Sequence, residues 1–475
     1  MEKTVVLNVV GLTQSLIGKN TPFLADWVAK QADGVAIRPV FPAVTCTAQA
    51  TYLTGKSPQE HGIVGNGWYF REECEVKFWR QSNKLVQAAK VWETAKAADP
   101  SFTCANMGWW YNMYSTADYT LTPRPQYLAD GRKLPDCYTH PAGLRDTLQE
   151  RLGMFPLFNY WGPKTSIKSS KWIADASKIT DELYDPTLTL IYLPHLDYNL
   201  QRLGPGDPRI ATDLQEIDAV LADLIPFYES RRANVVVLSE YGISEVNQPV
   251  HLNRVLRAHN LIALREERGL ELLDAGASEA FAVADHQVAH IYVKDKDRIE
   301  EIKQLIAQVP GVEEVLAGGE RDKYRLGHHR CGELVAVAGK EAWFTYYYWL
   351  DDKKAPDFAR TVEIHKKPGY DPVEMFADPK ITFLLPLVAG KLLKKKLGFR
   401  TLMDIIPLDA TLVKGSHGRI PDSTAEWPVF LSNKKELVPS ADIQATEVFQ
   451  LILAHLAVKQ QQESRPTYHE SPLKK

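Results

Sequence analysis

The chain has 475 residues, 45% of them hydrophobic and 24% charged, with a formal net charge of −3. That length exceeds one minimal domain and suits an α/β core carrying insertions. The near-balanced charge supplies no basic field, so nucleic acid is not expected as a partner.

The first apolar run, residues 4–10, reads as a strand, followed by a helical pattern at 22–32 and a second strand at 34–38. Residues 41–66 combine Thr45 after an apolar turn, a helical run from Ala48 to Thr54, a Gly55-Lys56 break, and the phrase His61-Gly62-Ile63-Val64-Gly65-Asn66. A hydroxyl at the mouth of a helix lies where free backbone N–H groups and the positive end of the helix dipole attract an anion. Residues 67–180 break the alternation with Trp, Tyr, Asn and Pro, and read as an aromatic-rich cap over the strand ends. Strands are expected again at 187–193 and 234–239, with helices at 210–229 and 253–268. A second insertion is expected at 264–365, with strands at 287–293 and 334–338 and a charged helix at 295–307. The basic stretch 392–400 follows the apolar FLLPLVAG; it reads as a lysine-rich helix end complementing the dipole, with contact to anionic lipid or to a substrate phosphate as the alternatives. The charged tail after Val458 reads as frayed. Continuous apolar strands alternating with amphipathic helices predict a mostly parallel sheet covered on both faces, with ligands bound beyond the carboxyl ends of its strands.

The five cysteines, Cys46, Cys74, Cys104, Cys137 and Cys331, lack C-x-x-C spacing, which argues against a disulfide framework or a cysteine zinc site. No apolar run reaches the roughly 20 residues of a membrane span, and no leader pattern precedes the first strand. The expectation is a cytoplasmic protein without a transmembrane segment; a homo-oligomer is compatible with the sequence. The adjacent His328 and His329 point opposite ways on a strand. His286 and His290 would share a face only on a helix, whereas their segment reads as a strand, so neither pair is expected to form a metal site.

The 41–66 stretch resembles the nucleophile segment of the alkaline phosphatase superfamily, in its type I phosphodiesterase/nucleotide pyrophosphatase branch. Thr45 takes the nucleophile position, and Thr54, Gly55, Pro58, His61, Gly62, Ile63, Gly65 and Asn66 fit the phrase. Thr47 and Ala48 stand where the branch has Pro and Asn. The resemblance implies an alkaline phosphatase-like α/β core over residues 1–475 with inserted cap regions, and a hydrolase that uses two zinc ions. The ligand positions depart from the pattern. Val10 replaces the Asp after the first strand, and Asn8, of the same strand parity, lies too deep to substitute well. Asp197 is kept, but Gln201 stands at the next His; Glu240-Tyr241-Gly242 replaces Asp-His-Gly; His417 fits unchanged in GSHG at 415–418. Zinc usually takes three or four N, S or O ligands, so one divalent ion or none is expected here, held through Asp197, Glu240 and His417.

Three readings follow. The first is a phosphoester hydrolase or transferase acting on a small phosphorylated metabolite, with Thr45 as nucleophile and Asn66, Gln201, Arg202 and Tyr241 contacting the substrate. The second is a catalytically degenerate protein that binds an anionic ligand or scaffolds partners. The third is metal-independent chemistry by Thr45, or by a thiolate at Cys46 activated at the helix mouth, with His417 as base.

Overall fold

Every residue of the strands Thr4–Val9 and Leu188–Leu193 is buried in the computed structural model, which describes residues 1–458. Both faces of these strands are therefore covered, as expected of TVVLNV and LTLIYL, whose runs of β-branched and aliphatic side chains leave no polar face. They form the middle of a nine-stranded sheet. Thr4–Val9 pairs in parallel with Leu188–Leu193 on one side and with Asn234–Leu238 on the other. The parallel run continues through Cys104–Met107 and Tyr119–Pro123, and antiparallel strands Cys137–His140 and Val429–Ser432 adjoin its two ends. Helices Ile167–Tyr184 and Ile210–Ser230 pack on the sheet, while Thr45–Thr54 packs with Val448–His455 in a separate layer. The architecture is the α/β, mostly parallel one expected.

Two expectations are corrected. Residues 67–180 are not a cap alone, because Cys104–Met107, Tyr119–Pro123 and Cys137–His140 are strands of the central sheet. These strands are only four or five residues long and carry Asn, Thr and Tyr, so their apolar signal drowned among the neighbouring aromatic residues. The helix expected at 253–268 ends at Ala258, since Asn260 turns the chain at φ +58°, and Leu264–Glu267 pairs with Leu270–Leu273 as a hairpin. Within 264–365 a separate four-stranded antiparallel sheet, Ala280–Asp285, Val288–Val293, Leu334–Ala338 and Val312–Ala317, lies beside the central one. The tail expected to fray after Val458 lies outside the described residues.

Helix Thr45–Thr54 sets up the site. Its N-terminus follows extended Val44, and it stops where Gly55 adopts φ +66°, a conformation open to glycine at little cost.

Candidate active site

Thr45 is the first residue of its helix, and its hydroxyl lies 3.0 Å from the phenol oxygen of Tyr241. The Tyr241 O–H donates to Asp197 Oδ1 at 3.1 Å, and Gln201 Nε2 donates to Asp197 Oδ2 at 2.8 Å. A phenol has one proton. Since Tyr241 gives it to Asp197, the Thr45 hydroxyl must donate to Tyr241, and a directed chain runs from Thr45 through Tyr241 to Asp197. The His417 ring stacks on Tyr241 with centroids 3.6 Å apart; its Nδ1 is fixed on the carbonyl of Ala43 at 2.8 Å, and its Nε2 points toward Asp197 Oδ1 at 3.9 Å without a hydrogen-bond partner. Glu240 Oε1 accepts from Asn8 Nδ2 at 2.6 Å and from Gln49 Nε2 at 2.5 Å.

Asn66 closes the helix mouth. Its Oδ1 accepts the Cys46 N–H at 3.0 Å, while its own N–H and side-chain amide donate to the two oxygens of Asp285. Asp285 also meets His286 Nδ1 at 2.8 Å, and the His286 ring lies between His417 and Tyr370, at 3.8 and 3.6 Å. Tyr370 donates to Gln201 Oε1 at 3.0 Å. Thr45, Asp197, Glu240, Tyr241, Gln201, Asn66 and His417 thus share one buried cluster. Arg202 stands apart, bonding Asn199 and the carbonyl of Met375. Val10 is buried, with its N–H on the carbonyl of Leu193.

Two glycines permit this convergence. A Cβ at Gly242 would collide with the carbonyl of Glu426, and one at Gly415 with that of Leu200. The glycines of the Glu-Tyr-Gly and Gly-Ser-His-Gly motifs are therefore places where two backbones meet.

The electrostatics are those of a dry site. Burial lifts the carboxyl of Asp197 to about 7, that of Glu240 to about 8 and that of Asp285 to about 6, against the opposing hydrogen bonds. Burial pushes the imidazoles of His286 and His417 well below their ordinary range, with His286 adding to the effect on His417. Burial also raises the Cys46 thiol well above its usual value. The expectation of a thiolate at Cys46 is therefore corrected: desolvation outweighs the helix mouth. A carboxyl whose folded pKa exceeds its unfolded value contributes fully below the unfolded value, about 4, and loses that contribution as pH rises through the folded one. Glu240→Gln is accordingly expected to gain stability relative to the wild type as pH goes from 5 toward 8. Melting temperatures of the two proteins, compared across that range, check this; a difference that does not change with pH removes the assignment.

The pair of zinc ions typical of the superfamily does not fit this donor set. Val10 offers no ligand atom, the ring of Tyr241 fills the second imidazole position, and Glu240, whose Oε1 takes two amide donors, keeps only Oε2 without a partner. His417 Nε2 and Asp197 face each other, a pair short of the ligands zinc wants. Among the described residues the donors that gather three to a point, within 4.8 Å, are those of His195, at the start of the helix carrying Asp197, and of Asp213 and Glu216 on helix Ile210–Ser230, outside the Thr45 cluster.

Asn8, Gln49, Asp285, His286 and Tyr370 also belong to the cluster; the sequence marks Asn8 only as a poor substitute ligand and His286 only as half of an excluded metal pair, and it gives Gln49 and Tyr370 no role. The signal for His286 was the polar turn Asp-His-Gln between two apolar strands, where His286 takes φ +61° and leaves the strand alternation.

The site thus sets a hydroxyl at a helix mouth, facing carboxylates and an imidazole at the ends of a mostly parallel sheet. Residues 4–371 match the type I phosphodiesterase / nucleotide pyrophosphatase family, and the chain belongs to it. It is 28% identical over 278 residues to the ectonucleotide pyrophosphatase/phosphodiesterase 1 of Saccharomyces cerevisiae, covering 52% of this chain and 34% of that one. It is 26% identical over 262 residues to the ectonucleotide pyrophosphatase/phosphodiesterase 2 of the same yeast, covering 51% and 48%. The chain thus spans half or less of the length of these curated relatives. Among solved structures, murine ectonucleotide pyrophosphatase/phosphodiesterase 5 in complex with AMP superposes with a TM-score of 0.58 at 16% identity, over 97% of this chain and 96% of that one. Phosphonoacetate hydrolase from Sinorhizobium meliloti in complex with phosphonoformate does so with a TM-score of 0.61 at 14% identity, over 96% and 95%. These two likenesses establish the fold.

Proposed function

We propose that the protein is a phosphoester hydrolase or transferase acting on a small phosphorylated metabolite, with Thr45 as nucleophile and the Tyr241–Asp197 pair in place of a metal as its activator. The carrying observation is the directed chain of hydrogen bonds from the Thr45 hydroxyl through Tyr241 to Asp197. As Thr45 Oγ1 forms a bond to phosphorus and the bond from phosphorus to the leaving oxygen breaks, the Thr45 proton passes to the Tyr241 oxygen while the Tyr241 proton passes to Asp197, so the phenol never carries a net charge. Water then attacks phosphorus and breaks its bond to Thr45 Oγ1, the proton on Asp197 returns through Tyr241 to Thr45, and the proton lost by water neutralises the departed oxygen. Asp197, with a pKa near 7, is matched to take up a proton at neutral pH. His417 braces Tyr241 by stacking on it, and the N-terminus of helix Thr45–Thr54, which has no side-chain cap from Val44, favours the charge of the phosphoryl group.

Thr45 is 4% exposed and Tyr241 2%, so the site is closed, and the half-buried rings of Trp79, Trp110 and Trp161 gather around Tyr370, whose hydroxyl bonds Gln201. In this reading they act as an aromatic lid that parts to admit substrate. The same closure supports a second reading, a protein that holds an anionic ligand without turning it over.

Tyr241→Phe tests the relay. It deletes one oxygen and keeps the stacked ring, so hydrolysis of bis(p-nitrophenyl) phosphate is expected to fall about 10²–10⁴-fold, the range for loss of general acid–base catalysis. Turnover by the wild type is expected to survive exhaustive chelation. Activity lost on chelation and restored by zinc would sink the relay. An absence of turnover, together with a melting temperature raised by inorganic phosphate through mass action, would establish the second reading instead.

A further inference from the structure

Half of the large hydrophobic side chains exposed among the described residues fall in one stretch: Phe383, Leu385, Leu387, Leu392, Leu393, Leu397, Phe399 and Leu402. Most of them lie on or beside helix Leu384–Lys396, thirteen residues of which none is buried. Leu384, Val388, Lys391 and Lys395, at helical spacing, are its half-covered stripe, and the rest of its surface faces solvent. Helices of soluble domains normally bury an apolar face, and contiguous exposed apolar patches mark interaction sites.

The charge on this stretch selects its partner. Residues 380–400 carry Lys380, Lys391, Lys394, Lys395, Lys396 and Arg400 and no acidic residue, within a chain whose net charge is −3. The remainder of the chain is therefore acidic, and the basic charge is concentrated where the apolar side chains are. The Arg400 guanidinium donates to the carbonyl of Ala129, which sets the stretch beside the hairpin of Gln126–Tyr127 and Lys133–Leu134, where Tyr127 and Leu134 are exposed as well. A second copy of the same surface would bring like charges together. Apolar side chains interleaved with lysines match an anionic bilayer, whose acyl boundary takes the former and whose headgroups take the latter. Thirteen residues are too few to cross a hydrocarbon core of about 30 Å, so the helix would lie in the interface plane.

We infer that residues 383–402 form a docking surface by which the protein binds anionic membranes peripherally. The test is cosedimentation of the full chain with vesicles of phosphatidylcholine mixed with phosphatidylglycerol, and with vesicles of phosphatidylcholine alone. Binding to the mixed vesicles is expected, weakened by salt and much weaker on neutral ones. Reversing Lys394, Lys395 and Lys396 to Glu is expected to lower the partition coefficient on the order of 100-fold or more, from about 1 kcal/mol per basic residue near an anionic surface. Leu393→Ser with Phe399→Ser should weaken binding to both kinds of vesicle. Lys394, Lys396, Leu393 and Phe399 are exposed and Lys395 is half-covered, none of them buried, so the variants should keep the wild-type circular dichroism and melting temperature. The inference is overturned if the wild type fails to bind mixed vesicles or if the triple reversal binds as well as the wild type. It is equally overturned if the patch instead drives a dimer that Leu393→Ser dissolves, with no vesicle binding.

Discussion

Thr45→Ala is expected to lower turnover of an activated aryl phosphodiester by at least about 10³-fold while leaving ligand affinity within a few-fold of wild type. The hydroxyl forms its bond to phosphorus only along the reaction path, so its loss falls on kcat rather than on binding. The change is structurally mild. Thr45 is the first residue of its helix and no capping bond depends on its side chain; its hydroxyl meets Tyr241, which keeps Asp197 as its own acceptor, and Glu240, whose Oε1 keeps the amides of Asn8 and Gln49. Thr45→Ser should retain most of the activity, since it preserves the oxygen and the relay. Single-turnover and steady-state kinetics on the purified variants, with calorimetric binding of AMP, make the comparison. Undiminished activity in Thr45→Ala would remove Thr45 from the mechanism. Cys46 would not inherit the role readily, because its thiol is buried and held protonated.

The sheet was legible wherever its strands were five or six residues long and mainly aliphatic. TVVLNV, LTLIYL and NVVVL are buried on both faces, and such strands announce themselves by composition. The strands of Cys104–Met107 and Cys137–His140 were not legible, because a four-residue strand holds too little pattern to stand out against flanking tryptophans and tyrosines. At the site, Thr45, Asp197, Glu240, Tyr241 and His417 were legible through the resemblance of their motifs to those of the superfamily. Their partners were less legible, for separate reasons. Asn8, inside a strand, reads only as a poor substitute for a metal ligand, yet it bonds the buried Glu240. Gln49 lies in the middle of a helix and reads as a surface residue, though it too is buried against Glu240. Asp285, His286 and Tyr370 come from the region of the second sheet, so that only tertiary packing brings them to Thr45. The metal departures were legible residue by residue. The hydrogen-bond network around Asp197, Glu240 and Tyr241 is a property of burial and could not be read from spacing.

Lys367→Met is expected to destabilise the fold by about 3–5 kcal/mol, the cost of breaking a buried ion pair from one side. Lys367 is 1% exposed and lies 2.7 Å from both Asp371 Oδ2 and Glu374 Oε1, whose side chains are equally hidden. Burial works against its charge, but the two carboxylates outweigh burial and raise its pKa. Deleting the ammonium would strand two carboxylates in a dry interior, whereas replacing Lys367, Asp371 and Glu374 together by Met, Leu and Gln removes the uncompensated charge and should recover much of the loss. Urea unfolding of the single and triple variants measures both quantities. The effect should also reach the site, because this cluster fastens the lid: Glu374 accepts from the Trp161 indole at 2.6 Å, and the neighbouring Tyr370 bonds Gln201. A lid loosened at Lys367 would admit water to Tyr241 and Asp197, and the Asp197 carboxyl, which burial holds near 7, would return toward the ordinary carboxylate range. In the single variant the ascending limb of the pH–rate profile should therefore move to lower pH. A loss of stability under about 1 kcal/mol would mean that the two carboxylates find other partners, and that the ion cluster is not what closes the site.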